Sequence, residues 1–325
     1  MKKILVTGGC GFVGRHLVDR LLSDDHNILV VDDLSSNGSY VRSELIRQGV
    51  RFFVGDCRKF FNDVSENFDE VFHLAAVVGG RNKIDGNPLD LAVNFSIDSE
   101  MFMWAREHAG RVFYMSSSAV YPVYLQEQFL YSNLYEELVD FSEPNSRLSQ
   151  PDQVYGWAKF LGEALAWKFV EVTKKQVFIF RPFSGFGEDQ SLDYPIPSLV
   201  DKVFRTLTGL DDHVEIWGSG EQVRDFVYID DVIDVILKTP DVADKNPFTI
   251  NIGTGIGTSF IEVVKLISKI IGKEFPYRTD ITKPSGVFYR VANVFNQMYY
   301  NLLPPANMFE RGLKRVINFY RNKYE

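Results

Sequence analysis

The chain predicts an α/β fold, a doubly wound parallel sheet with a smaller C-terminal substrate-binding lobe. Three observations predict it. Three glycines, Gly8, Gly11 and Gly14, stand between the apolar run "KILV" and a helical pattern. Apolar strands then alternate with helices through the first half of the chain. After Phe183 the texture changes to loops rich in Gly, Pro and Asp, such as "SGFGEDQSLDYPIP" and "NIGTGIGTS". Continuous apolar strands between helices belong to a parallel sheet covered on both faces, joined by right-handed crossovers.

The elements follow in order. "KILVTGG" is the first strand, and residues 14–23 form a helix with Leu17, Val18, Leu21 and Leu22 on one side. "NILVVDDL" and "VRFFVGDC" are the second and third strands. "DEVFHLAAVV" is the fourth, and a helix follows over residues 94–108. "RVFYMSSSAVY" is a strand, "VYGWAKFLGEALAWKFVEV" a long helix and "QVFIFRPF" a further strand. "DFVYIDDVIDVILK" reads as strand then helix and returns to the first lobe. The weakly patterned residues 124–150 read as a surface insertion over the cleft. The expected division is 1–182 with 225–250 for the dinucleotide lobe, and 183–224 with 251–325 for the substrate lobe.

With 325 residues the chain is long for one core, which fits two packed lobes. The 27 Phe and 15 Tyr supply a large aromatic core. The net charge is −8, and no run of Lys or Arg forms a nucleic-acid footprint. Two cysteines, Cys10 and Cys57, cannot build a disulfide framework and read as thiols in a reducing compartment. The N-terminal apolar run is too short for a signal peptide, and no window approaches a membrane span. The expectation is a cytoplasmic protein with neither nucleic-acid nor membrane partners.

The glycine turn carries the first chemistry. Its order is strand, G-x-x-G-x-x-G, helix. Gly8 permits the tight turn, Gly11 lets backbone amides approach a pyrophosphate, and Gly14 lets helix and strand pack closely. Phe12 and Val13 open the helix, whose N-terminal N–H groups favour an anion. The second strand ends at Asp32, eighteen residues past Gly14. A carboxylate there accepts both ribose hydroxyls of NAD and repels the 2′-phosphate of NADP. The competing role for Asp32 is to cap the next turn. Asp56 ends the third strand beside Cys57, where it meets the adenine amino group or caps a helix. Leu74, Ala75 and Ala76 supply small side chains along which the cofactor passes.

The catalytic candidates lie further on. Tyr155 and Lys159 are spaced i, i+4 and share one helix face. An ammonium near a phenol favours the phenolate, and an oxidised nicotinamide adds positive charge. Tyr155 then takes a proton from a sugar hydroxyl as hydride leaves. Lys159 also holds the nicotinamide ribose. Upstream, Ser116, Ser117 and Ser118 end a strand, and a hydroxyl there shares the substrate oxygen with Tyr155. The chemistry calls for no metal.

These motifs together resemble the extended short-chain dehydrogenase/reductase family, the NAD-dependent nucleotide-sugar epimerases, dehydratases and reductases. The resemblance runs through "TGGCGFVG", "VVDDLSS", "VFHLAA", "SSSAVYP", "VYGWAK", "FRPFSGFG", "RDFVYIDDV", "NIGTG" and "KPSG". It implies that Ser117 is the catalytic hydroxyl with Ser118 beside it, that Tyr155 and Lys159 are the base and its helper, and that Arg224 and Arg290 hold the nucleotide diphosphate. Ser184 and Arg81, with Lys83, are sugar-pocket candidates. Several segments resemble GDP-fucose synthase and GDP-mannose 3,5-epimerase, and "VDDLSS" resembles UDP-sugar 4-epimerases. Dehydratases of the family carry Asp-Glu after the catalytic hydroxyl, where this chain has Ser118 and Ala119. The cysteine that the 3,5-epimerase and the synthase use is replaced by Ala119. What the resemblance leaves is epimerisation at C4 through a transient 4-keto sugar, with a 4-keto-sugar reductase as the alternative and a non-catalytic sensor disfavoured by the intact Ser-Tyr-Lys set. A homodimer follows by analogy.

Overall fold

The computed structural model describes residues 1–36, 38–80, 86–141, 150–305 and 308–324. Strands β1 (Lys3–Thr7), β2 (Asn27–Asp32), β3 (Arg51–Val54), β4 (Phe68–His73) and β5 (Ala109–Met115) come first. A short hairpin, β6 (Gln126–Glu127) and β7 (Leu130–Tyr131), precedes β8 (Val177–Pro182). With β12 (Phe248–Ile252), the non-hairpin strands form one seven-stranded sheet, ordered β12-β8-β5-β4-β1-β2-β3. Every pairing in it is parallel. The chain winds one way from β1 to β3 and the other way from β4 onward, so a crevice opens at the carboxyl ends of β1 and β4.

The sheet is buried because its strands are apolar on both faces. Ile4 and Val6 join the core on one side, and Leu5 joins the separate core on the other. This is the two-residue period of a strand. Helices Phe12–Leu22 and Ile229–Val242 pack together over one face, and Val93–His108 packs with Gln153–Thr173 over the other. Each fully buried Val, Leu or Ile contributes about 1.5–3 kcal/mol.

A smaller sheet joins β9 (Ser184–Phe186), β11 (Val223–Tyr228), β13 (Gly257–Ser259) and β15 (Tyr289–Arg290). A parallel pair, β10 (Val214–Trp217) and β14 (Tyr277–Asp280), stands beside it. The strand in "DFVY" therefore differs from its expected place. The slot next to β8 goes to β12, and β11 pairs with β9, β13 and β15. Only the helix after β11 and then β12 come back to the large sheet.

Two strand ends are shorter than expected. β4 stops at His73, and β5 stops at Met115, after which Ser118–Val120 is a single 3-10 turn. The described part of the segment 124–150, residues 124–141 and 150, is not a simple surface insertion. Gln126, Leu134 and Glu136 are buried. The segment is pinned by the Leu134 N–H to the Val291 carbonyl and by the Asn251 N–H to Glu136 Oε1, 2.8 Å. None of the described helices is long and apolar enough to cross a membrane.

Candidate active site

The crevice opens into one cleft of about 1550 Å³ that runs from the glycine turn to the small sheet. Gly8 sits at φ +72, and a Cβ there would come within 2.8 Å of the Ala75 backbone nitrogen. Only glycine combines that conformation with that approach. Gly11 is different. Its backbone is extended at φ −70, ψ 174, and a Cβ there would meet only the Gly8 carbonyl oxygen, at 3.2 Å. Its Cα faces the cleft, so a side chain would fill the space beside the amides of Phe12 and Val13. The first N–H groups of the helix have no intrahelical acceptor. A bare Gly11 at the head of that helix is a cradle that fits the diphosphate of a dinucleotide.

Asp32 ends β2 at 7 % exposure. Its Oδ2 accepts from the Cys10 N–H at 2.9 Å and its Oδ1 from the Leu34 N–H at 2.8 Å. Each oxygen keeps acceptor capacity, so the cap and the ribose role coexist. Burial pushes the Asp32 carboxyl above its usual range, against the pull of those two amides. Asp56 caps the helix Cys57–Asp63 through the Arg58 N–H and grips the Arg58 guanidinium as well. The hydrogen bond from Arg58 holds its carboxyl below the usual range. Cys10 and Cys57 are buried thiols that burial pushes up to about 12. Leu74, Ala75, Ala76 and Cys57 line the cleft beside these groups.

Ser117, Tyr155 and Lys159 meet at the far end of the crevice. Ser117 caps the turn Ser118–Val120 by accepting the Ala119 N–H at 3.1 Å, and its hydroxyl also hydrogen-bonds Tyr155. Burial pushes the Tyr155 phenol above its ordinary range, and Tyr194 pushes it further. Only the bond from Ser117 acts the other way. Lys159 is 2 % exposed. Its Nζ lies 3.7 Å from Asp98 Oδ1 and 4.9 Å from the Tyr114 ring centre. The ammonium of Lys159 is thus paired with the buried Asp98 carboxylate.

Asp98 is the hub of a buried polar chain. His73 Nδ1 meets Thr7 Oγ1 at 2.8 Å, and His73 Nε2 meets Asp98 at 3.2 Å. The Tyr114 hydroxyl donates to Asp98. Burial alone would push the Asp98 carboxyl up, but Lys159 and the His73 and Tyr114 hydrogen bonds hold it below the usual range. Burial pushes the His73 imidazole below its usual range, against the pull of Asp98. A second chain runs beside it. Ser116 donates to Glu163, Arg181 donates to both Glu163 oxygens at 2.8 and 2.6 Å, and Arg181 Nη1 reaches the Tyr121 hydroxyl at 3.1 Å. Ser116 thus serves the scaffold.

Arg224 and Arg290 are register partners on β11 and β15 and both line the cleft. Arg224 donates to the Val223 and Ser285 carbonyls at 2.8 and 3.0 Å. Arg290 donates to Gln126 Oε1 at 2.6 Å and to Asp152 Oδ2 at 2.9 Å. Ser184 lines the cleft from β9. Ser118 does not, since it is buried at the head of its 3-10 turn, behind Ser117. Arg81 and Lys83 lie outside the described residues.

Sequence reasoning missed the loop 187–194. Asp189 holds Arg15 and His16 of the glycine-turn helix, with Arg15 Nη2 on its carbonyl at 2.7 Å and His16 Nε2 on Oδ1 at 3.1 Å. A Cβ on Gly80 would collide with the Asp193 carbonyl, so the loop after β4 and this loop are in backbone contact. Tyr194 ends the loop beside Tyr155, and burial pushes its phenol up to about 12. Arg42 was missed too. It is half-buried, and its charge bears on Cys10, close to Asp32. Nothing local in "FGEDQSLDYP" or "SYVRSE" marks these residues, because their partners are far away in sequence.

Fold and cleft together define a nucleotide-binding protein of the doubly wound α/β class. Residues 4–253 match the family described as NAD dependent epimerase/dehydratase, and the chain belongs to that family. It is 27 % identical to GDP-mannose 3,5-epimerase 1 of Oryza sativa subsp. indica, over 88 % of this chain and 72 % of that protein. It is similar to the solved structure of MoeE5 in complex with UDP-glucuronic acid and NAD, at 28 % identity, 99 % coverage of both chains and TM-score 0.77. It is also similar to UDP-glucose 4-epimerase of Thermotoga maritima with UDP-glucose, at 25 % identity, 99 % coverage of both chains and TM-score 0.81.

Proposed function

We propose that the protein is an NAD-dependent nucleotide-sugar epimerase that works at C4 through a transient 4-keto sugar. The observation that carries this reading is a single cleft lined by the glycine turn, Asp32, Ser117, Tyr155 and Lys159. The glycine turn with Phe12 and Val13 would hold the cofactor diphosphate, and Asp32 the adenosine ribose. Asp56, Cys57, Leu74, Ala75 and Ala76 would wall the adenine half. NAD, when bound, supplies the acceptor for the C4 hydride and gives it back to the 4-keto sugar.

The chain's own residues manage the proton and the geometry. Tyr155 takes the proton of the 4-hydroxyl and returns it once the sugar has turned. Ser117, bonded to Tyr155, holds the same oxygen. Lys159, anchored by Asp98, would hold the nicotinamide ribose. Burial raises the phenol, so Tyr155 alone is a reluctant base. An added positive charge in the cleft favours its phenolate. Arg224 and Arg290 would hold the diphosphate of the sugar nucleotide in the fork geometry that guanidinium offers. Ser184 touches the sugar. We assign residues 183–224 and 251–325 to the nucleotide-sugar lobe, and 1–182 with 225–250 to the NAD lobe.

We also read the protein as a cytoplasmic homodimer. Met103 on one long helix, and Leu161 and Trp167 on the other, are 64 %, 44 % and 49 % exposed, which supports a self-complementary helical face.

The test begins with the purified protein. Nicotinamide co-purifying by absorbance and mass, and product formed from a UDP- or GDP-sugar with no added cofactor, support the epimerase. Product made in D2O should carry no deuterium at C4, because the same hydride returns. Turnover that appears only with added NADPH would point instead to a 4-keto-sugar reductase.

A further inference from the structure

One buried acceptor in the wall of the cleft is left over. Gln190 lines the cleft and is 7 % exposed. Its Nε2 donates to the Gly185 carbonyl at 2.9 Å. Its Oε1 is buried and has no hydrogen-bond partner among the described residues. The amide orientation follows from the chemistry. A backbone carbonyl can only accept, so the NH2 faces Gly185 and Oε1 points away from it. A buried acceptor without a donor is costly, and such groups in folded proteins are normally satisfied.

Its position narrows what could satisfy it. Asp189, the preceding residue, is held by Arg15 and His16 at the head of the glycine-turn helix. A Cβ at Gly187 would lie 3.0 Å from the Phe12 ring. At the other end of the loop, Tyr194 bears on Tyr155. The loop thus spans from the diphosphate cradle to the catalytic phenol, and Gln190 hangs between them from β9. A diphosphate offers only acceptors and cannot pair with Oε1. The nicotinamide ribose is assigned to Tyr155 and Lys159, on the helix Gln153–Thr173. Apart from the hydroxyls of the sugar, the donor that a bound NAD would offer between cradle and phenol is the carboxamide NH2 of the nicotinamide.

We propose that Gln190 Oε1 accepts a hydrogen bond from that carboxamide and so fixes which ring face is turned to the sugar. The inference rests on the NAD reading above and names a specificity residue within it. It also suits the chemistry. The sugar must present both its faces, while the ring must give and take hydride on one face only.

The test uses the purified full chain, stripped of bound nucleotide. Dissociation constants are measured by calorimetry for NAD and for its 3-acetylpyridine analogue, in which a methyl group replaces the NH2. The wild type should prefer NAD by about threefold to tenfold, the worth of one neutral hydrogen bond. In Gln190→Met, NAD should weaken by that factor, the analogue should be unchanged, and the preference should vanish. The unchanged affinity for the analogue guards against a fold defect in the methionine variant, because a damaged cleft would weaken both ligands. Equal affinities in the wild type, or a preference that survives unchanged in Gln190→Met, would overturn the assignment. So would a Gln190→Met that alters only the KM for the sugar. If NAD fails to bind the wild type at all, the cofactor reading itself has failed, and the two failures are told apart.

Discussion

Gly11 and Gly14 sit in one turn, yet replacing each with alanine should have opposite consequences. A Cβ on Gly14 would lie 2.7 Å from the Gly9 Cα and 3.0 Å from the Gly8 carbonyl carbon, closer still to its oxygen. All are backbone atoms, so the turn itself must move. Overpacking of this kind typically costs about 1–3 kcal/mol. A Cβ on Gly11 meets a single atom at 3.2 Å, and the backbone there is extended with negative φ. Loss of unfolded-state freedom favours the alanine by about 0.4–1 kcal/mol, and a poorer helix cap offsets much of that. Gly11→Ala should therefore melt within a few degrees of the wild type, at roughly 2–4 °C per kcal/mol for a large domain. Its methyl group, however, occupies the cradle beside the Phe12 and Val13 amides. NAD affinity should fall by about tenfold or more, because charge-assisted bonds to phosphate are worth about 1.5–3 kcal/mol. Thermal melting and NAD titration on both variants decide it. A Gly11→Ala protein that binds NAD as tightly as the wild type would show that the diphosphate does not rest there.

Three further outcomes are expected. Tyr155→Phe should lower turnover by at least about a hundredfold while NAD still binds. Because burial raises the phenol, the wild-type kcat/KM should climb with pH through the alkaline range, and the variant should lose that limb. Asp32→Asn should weaken NAD by about tenfold and narrow its advantage over NADP, since it removes the charge that repels a 2′-phosphate while Arg42 remains near; titration with both cofactors checks this. Asp231 has an oxygen without a partner among the described residues, and burial, then Asp234 and Asp230, push it up to about 6. A raised acid is uncharged in both states below pH ~4, and its stability contribution is lost as pH rises through about 6. Asp231→Asn should thus match the wild type near pH 4 and be more stable at pH 7, by a ceiling of about 3 kcal/mol for a two-unit shift, as read by denaturant unfolding.

The legible parts of the site were those whose chemistry is local. Gly8 and Gly14 announce a close backbone approach that a side chain would block, Gly11 leaves the space beside the helix amides bare, and Asp32 stands at a fixed distance along the same βαβ unit. Tyr155 and Lys159 share a helix face by spacing alone. What the sequence could not convey is where a charge finds its partner. Lys159 was read toward the phenol four residues away, and nothing in the sequence signalled that the buried carboxylate of Asp98 also pairs with it. Asp56 offered two roles, and the Arg58 N–H shows it capping the next helix. Ser118 looked equivalent to Ser117 until the 3-10 turn put one hydroxyl in the cleft and the other behind it. Gln190, Tyr194 and Arg42 carry no motif, and their meaning comes from residues on other elements. The strand in "DFVY" had the right composition for the large sheet, but composition does not record that β12 takes the slot.

The two lobes share apolar cores, and one ion pair between them sits beside the residues assigned to the chemistry. Arg290, on the small sheet, reaches across to Asp152, which directly precedes the helix Gln153–Thr173. Gln153 opens that helix at φ +57, a conformation most side chains avoid, so the chain reverses sharply just before Tyr155. Asp152 makes no side-chain cap to the helix, and its carboxylate serves Arg290 instead. An Arg–Asp pair is exchangeable, because a diphosphate offers guanidinium the same fork of oxygens with more charge. In the proposed complex Arg290 would thus choose between the Asp152 carboxylate and the diphosphate of the sugar nucleotide. Binding there would then bear on the helix that carries Tyr155.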